Sequence, residues 1–223
     1  MYRMVYRNYR RNNRKRNYRR RRTRNSSWGN TAWQLAKKAA SGVVKYYLNP
    51  EYKFLEWTNT TFQPSTTPQV FGDPSWLAAG TSDITRTGNT IKVTSMQAKI
   101  LMTRNTSSTL TQVRCVFFYA IAPDGALSSF TQVFESNDVN AYINKDYGID
   151  YKIFWDKVYL LDVYHPQREI KIYKKLQHHI KYLDGTAGDA ALGSGAIYFA
   201  CISNEATNTP IVRIRTRMRY LDN

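Results

Sequence analysis

Val212-Arg213-Ile214-Arg215-Thr216-Arg217-Met218-Arg219-Tyr220 is the stretch that decides the fold. Successive side chains of a strand point to opposite faces, so as a strand it puts Val, Ile, Thr, Met and Tyr on one face and four arginines on the other. A helix would scatter both sets around its surface. Pro210 to Leu221 therefore reads as a strand with one apolar face and one face made entirely of arginine.

The same period extends outward along the chain. Glu169 to Leu183 places Lys171, Lys175 and Lys181 on one face. Thr111 to Ala122 alternates Val113, Cys115, Phe117, Tyr119 and Ile121 against Arg114, Val116, Phe118 and Ala120, and both sets are largely apolar, as in a strand in mid-sandwich. Thr90 to Arg104 carries Ile91, Val93 and Met96, then Ala98, Ile100 and Met102. The change of phase near Ser95 predicts a bulge. A first strand around Tyr52, Phe54, Trp57 and Phe62, together with Tyr151 to Tyr164 and Ala196 to Ser203, completes seven. A short strand at Gln69 to Phe71 makes eight, the number expected of an all-β, single antiparallel jelly-roll sandwich with two four-stranded sheets face to face.

The connections are rich in Pro, Gly and Asn. Pro123-Asp124-Gly125 reads as a turn, Leu127 to Phe134 as a short helix or loop, and Gly185 to Gly195 as a flexible surface loop. Ahead of the strands, Trp33, Ala36, Ala40, Val44 and Tyr47 recur at helical spacing, with Asn30 or Thr31 as N-cap and Asn49-Pro50 as the stop. Lys37, Lys38 and Lys45 lie off this apolar stripe, and Lys37 and Lys38 are candidate contacts to nucleic acid. The expected organisation is a basic arm over residues 1–27, a linking helix over 28–50 and a jelly-roll body over 51–223.

The arm holds most of the charge. The chain of 223 residues has 33 basic and 16 acidic side chains, a formal +17. Twelve of the basic groups lie in the first 24 residues: Arg3, Arg7, Arg10, Arg11, Arg14, Lys15, Arg16, Arg19, Arg20, Arg21, Arg22 and Arg24. With only Met4 and Val5 as large aliphatic groups, the arm cannot bury enough surface to offset the entropy of ordering, and it is expected to be disordered. Eleven of the twelve are arginine, whose planar fork matches phosphate bidentately. Tyr2, Tyr6, Tyr9 and Tyr18 lie between them and can stack on unpaired bases, so single-stranded nucleic acid is the expected partner. The Arg213, Arg215 and Arg217 row adds basic groups held on an ordered strand. A nuclear-import signal is compatible with the same basic run.

Other classes fit poorly. No apolar run of about 18 residues and no secretion signal is present, so no membrane partner is expected and the protein is expected to be made inside the cell. Cys115 and Cys201 each sit in an apolar run and are expected to be buried free thiols. His165 precedes a proline, and the adjacent His178 and His179 point to opposite faces of a strand, so no metal-ligand spacing emerges. There is no Gly-x-Ser-x-Gly elbow, and the Gly185 to Gly195 loop lacks the Gly-Lys-Ser/Thr end of a phosphate-cradling loop. Asp146 with Asp150, and Asp184 with Asp189, read as solvated loop acids. An enzyme is not expected, nor a cofactor or metal.

In order and spacing, several pieces together resemble one family. They are the Arg-rich arm, Trp33 to Lys38 leading into Leu48-Asn49-Pro50-Glu51-Tyr52-Lys53, Asp83 to Ile91, Gln112 to Tyr119 followed by Ala122-Pro123-Asp124-Gly125, and the closing Arg213 to Asp222. They resemble the capsid proteins of circular, Rep-encoding single-stranded DNA viruses, the circovirus-like group, which are similar in style to the single jelly-roll capsids of satellite viruses. Pro50 departs from the pattern, where a small apolar residue is expected. The resemblance implies a homo-oligomer of 60 copies closing into an icosahedral T=1 shell, with the arm inside on a single-stranded genome, DNA in preference to RNA. Sixty such arms would bring roughly 720 cations to the phosphates by counterion release. It further implies residence in the virion and the host nucleus, a host import receptor, and a Gly88–Asn89 turn favouring positive φ. The alternative from another class is a cellular nucleic-acid-binding protein of ribosomal or chromatin type with a basic tail.

Overall fold

The computed structural model describes residue 37 and residues 52–121, 129–145 and 150–222. The expected arm and linking helix, with Arg3 to Arg24 and Lys38, lie outside the described residues; Lys37 is helical and exposed. The chain divides between Pro50 and Glu51, and the sandwich is built from the second unit.

Eight strands form it: β1 (Tyr52–Phe62), β2 (Gln69–Phe71), β3 (Thr90–Thr103), β4 (Leu110–Ala120), β5 (Tyr151–Asp162), β6 (Gln167–Lys181), β7 (Ile197–Ser203) and β8 (Ile211–Asp222). One sheet has the order β1-β8-β3-β6 and the other β2-β7-β4-β5, with every pairing antiparallel. Only β4 and β5 follow one another within a sheet; every other connection crosses to the facing sheet. That order makes the body a jelly roll. A short helix, α1 (Phe130–Val133), begins at a capping box in which the Ser129 hydroxyl accepts from the Gln132 amide and the Gln132 side chain accepts from the Ser129 amide.

The inner faces interdigitate through aromatic rings. Phe71 and Phe199 from one sheet meet Trp57 and Phe62 from the other, with centroids 5.0–6.4 Å apart, and Phe117 packs on Phe199 within its own sheet at 4.9 Å. β8 contributes Val212, Ile214, Thr216, Met218 and Tyr220, all buried, while its four arginines are exposed. The bulge near Ser95 is present: pairing of β3 with both neighbours shifts register between Val93 and Ser95. Cys115 and Cys201 are directly opposite one another on β4 and β7, both buried, with Sγ atoms 3.3 Å apart and no disulfide.

Several expectations need correction. Ile121 does not extend β4: it is 48% exposed, and its amide donates to Asp150 O, because β7 has no residue left to pair with it. Tyr164 and Leu183 likewise lie beyond the ends of β5 and β6 and are exposed. The Gly185 to Gly195 loop is not simply a surface loop. A 3-10 turn at Asp189–Ala191 buries Ala191 and Leu192, and Asp189 Oδ1 accepts the Trp76 indole N–H at 2.9 Å. Positive φ falls at Gln177, Gly188 and Gly195 rather than at Gly88 or Asn89. At Gly195 (φ 83°) a Cβ would lie 1.9 Å from His179 O, so only glycine fits.

Two buried arginines tie the ends of the sandwich. Arg86 Nε donates to Leu77 O (3.1 Å), Nη1 to Gly88 O (2.6 Å) and Asn89 Oδ1 (3.1 Å), and Nη2 to Asp184 O, with the guanidinium 4.2 Å from the Tyr182 ring centroid. Arg114 is held bidentately by Asp156 (2.9 and 2.6 Å), donates to Ala141 O (2.6 Å) and lies over the Phe134 ring.

Candidate nucleic-acid interface

The register of the β1-β8-β3-β6 sheet assembles charge that is scattered in sequence. Because β8 has neighbours on both sides, each of its outward arginines belongs to a rung crossing the sheet. Thr58, Arg215, Lys99 and Lys171 form one rung; Glu56, Arg217, Gln97 and Tyr173 the next; Phe54, Arg219, Ser95 and Lys175 a third. Arg213 lies beside Leu101 and Glu169 at the far end. The rungs so formed hold seven exposed cations, Lys99, Lys171, Lys175, Arg213, Arg215, Arg217 and Arg219, against two carboxylates, Glu56 and Glu169, and Lys181 is exposed on the same face opposite Thr90.

The cations are not equivalent. Arg217 donates from Nε and Nη2 to Glu56 Oε1, at 2.6 and 2.5 Å. Arg219 lies on the Tyr52 ring, 3.6 Å from its centroid. Lys171 meets Glu169 at 3.4 Å, an exposed pair of the kind that contributes about 0–1 kcal/mol. Arg215 has one long bond to Thr58 Oγ1 (3.5 Å). Arg213 and Lys99 have no ion-pair partner among the described residues. Around these last three, a depression of about 360 Å3 opens between β1 and β3, lined by Thr58, Asn59, Thr60, Leu101 and Glu169 as well.

The opposite sheet presents no such face. The outward side of β4 is covered by residues 129–145, of which Phe130, Val133, Phe134, Val139 and Ala141 are buried, and its Arg114 is consumed by Asp156 and two carbonyls.

Of the residues that the sequence marks, the structure brings Arg213, Arg215 and Arg217 onto one face. Lys171 and Lys175 join them from β6. Sequence reasoning missed Lys99 and Glu56. Lys99 sits on the odd-numbered, outward side of the Met96, Ala98, Ile100, Met102 alternation, which was the available signal. The candidate catalytic groups do not converge. His165 is exposed beside Asp162. His178 stacks on Tyr119 across the sheets, with centroids 4.5 Å apart, and its Nε2 meets Gly195 O at 2.9 Å. Burial holds its pKa below the usual value, opposed by the Gly195 carbonyl and reinforced by His179 and Lys152. Asp184 accepts from Thr186 N and Oγ1 within its own turn, and these bonds hold its carboxyl below the usual range. No group of three metal-ligating side chains occurs among the described residues, and no helix there is long and apolar enough to cross a membrane.

No family model matches the chain, and no curated protein matches it. Among solved structures it is similar to Desmodium yellow mottle tymovirus, at 12% identity over 77% of this chain and 87% of that one, with a TM-score of 0.39. The empty head of turnip yellow mosaic virus matches at 10% identity over 78% and 82%, with a TM-score of 0.36. The 60-mer BFDV capsid protein matches at 8% identity over 78% and 95%, with a TM-score of 0.27.

Proposed function

We propose that this chain is a viral coat protein that self-assembles into a closed icosahedral shell of 60 copies around a single-stranded genome, DNA in preference to RNA. Residues 1–27 form its arm, 28–50 the linking helix and 51–223 the shell-forming body. The twelve cations from Arg3 to Arg24, with Lys37 and Lys38, neutralise phosphates without reading sequence. Arg213, Arg215 and Arg217 add contacts from a rigid surface. The virion is the final location, and the host nucleus, reached through an import receptor that binds the basic run, an earlier one.

One observation carries the reading. Among the described residues, the outer face of the β1-β8-β3-β6 sheet is exposed and basic across three of its four strands, and the chain also carries an Arg-rich stretch at residues 3–24. A solvated face needs mixed charge; seven cations against two carboxylates on the central rungs ask for a polyanion. The proposal includes no catalysis.

The test compares the full chain with one lacking residues 1–24, by particle size and by nuclease protection of co-purified nucleic acid. Particles of tens of subunits that protect nucleic acid only when the arm is present are expected. A monomer or dimer that binds nucleic acid without enclosing it would overturn the shell and favour a cellular nucleic-acid-binding protein.

A further inference from the structure

The cations of the exposed sheet face divide into a held set and an open set. We infer that Lys99, Arg213 and Arg215 form the phosphate clamp of this face, and that Glu56 withholds Arg217 from it and so limits how tightly the face binds. This rests on reading the face as a nucleic-acid interface.

The first argument is electrostatic. Lys99 is directly opposite Arg215 on one side and Lys171 on the other. Directly opposed residues have Cβ atoms about 4.5–5.5 Å apart, and like charges at that distance destabilise a sheet. Thr58, which completes the rung, is neutral, so nothing within the rung offsets the repulsion. The next rung is built differently: Glu56 sits directly opposite Arg217, and Gln97 separates Arg217 from the neutral Tyr173. The same strand therefore carries one arginine that is neutralised in place and another left directly opposite a lysine.

Shape and spacing agree with this division. The depression between β1 and β3 is bordered by Lys99, Arg213 and Arg215 together, and Thr58 and Thr60 of β1 also line it. Along an antiparallel strand, residues two apart are separated by about 6.8 Å. Successive phosphates of an extended single strand are also about twice the 3.4 Å rise per strand of a stacked duplex apart. Arg213 and Arg215 can thus each take one of two neighbouring phosphates, while Lys99, as a compact charge, serves the one nearer Arg215. Arg219 lies two rungs from Lys99 with one side of its guanidinium covered by Tyr52.

The experiment is residue-level footprinting of the full chain. It is labelled with an arginine-specific dicarbonyl and a lysine acylating reagent, with and without a short oligothymidylate at low salt, and read by peptide mass spectrometry at matched assembly state. Modification of Lys99, Arg213 and Arg215 is expected to fall at least fivefold on binding, with Arg217 changing less than twofold. In Glu56→Gln, Arg217 is expected to join the protected set, and the log–log salt slope to steepen by about 0.7, the increment for one more phosphate on a single strand. Equal protection from Arg213 to Arg219 in the unaltered chain would overturn the division. Protection confined to residues 1–24 would overturn the clamp and leave the proposed function standing. Absence of any binding by the full chain would overturn both.

Discussion

Replacing Arg86 by Met should cost the body about 2–4 kcal/mol. The guanidinium is fully buried without a carboxylate partner, held by four oxygens and the Tyr182 ring. Met matches the stem and keeps contact with Tyr182, so the loss falls on the acceptors. Leu77 O lies in a buried bond, and orphaning it costs about 1–3 kcal/mol. Gly88 O, Asn89 Oδ1 and Asp184 O are partly buried and can turn to water, at about 0.5–1 kcal/mol each. Relief of the desolvated charge offsets part of this. The remainder is a large share of the roughly 5–15 kcal/mol that stabilises an ordinary domain. Equilibrium unfolding in guanidinium chloride, followed by tryptophan fluorescence, reads the change as a shift in midpoint at constant slope. Arg86→Lys should fall between the two, since one ammonium cannot reach all four acceptors. A Met variant within 1 kcal/mol of the unaltered chain would refute the reasoning, because the carbonyls would then have other partners.

Two further outcomes follow from buried groups in the core. Cys115 and Cys201 should resist a bulky thiol reagent in the folded chain and both react once it is unfolded. Burial pushes the Cys201 thiol up, and the neighbouring Cys115 reinforces this. Prompt labelling of either thiol under native conditions would contradict the packing of β4 on β7. His178 should make stability depend on pH. Its folded pKa is depressed by burial, so its contribution is intact above the unfolded value of about 6.5 and is lost as pH falls from there towards the folded value. Urea midpoints measured across that window should decline toward acid, and His178→Gln, which keeps a donor for Gly195 O, should flatten the decline; an equally steep decline in the variant would point to other groups.

The elements most legible in the sequence are those whose pattern is local. The β8 alternation shows its buried and exposed faces residue by residue, and the change of phase around Ser95 marks the β3 bulge, because a period of two records which side each residue faces. The ends of strands are less legible. Ile121, Tyr164 and Leu183 continue an apolar pattern past the point where pairing stops, and pairing stops where a partner strand runs out, which is a fact about another part of the chain. The interface follows the same division. Its arginines on one strand are visible at once, whereas the rung joining positions 58, 99, 171 and 215 exists only through pairings more than 40 residues apart. Arg86 and Arg114 are invisible as buried residues for a related reason: Arg86 takes a carbonyl 98 residues away and Arg114 a carboxylate 42 residues away.

The position of β8 explains why the basic face is found where it is. A central strand is paired on both sides, so its backbone is rigid and its outward side chains are flanked by two other rows. An edge strand would present the same arginines in a single file free to twist away. Placing the row centrally lets β3 and β6 add Lys99, Lys171 and Lys175, at the cost of like-charge repulsion that a solvated face would avoid by interspersing carboxylates. Glu56 supplies one such carboxylate at Arg217, and among the described residues none pairs with Arg215. The other sheet has no place for an equivalent row, since residues 129–145 lie over β4 and the one arginine there is already bound by Asp156. The sandwich therefore separates two jobs that conflict on one surface. One outer face is covered by chain over β4 and contributes packing; the other is exposed among the described residues and carries like charges whose repulsion lowers stability, a cost that the proposed binding of a polyanion would offset.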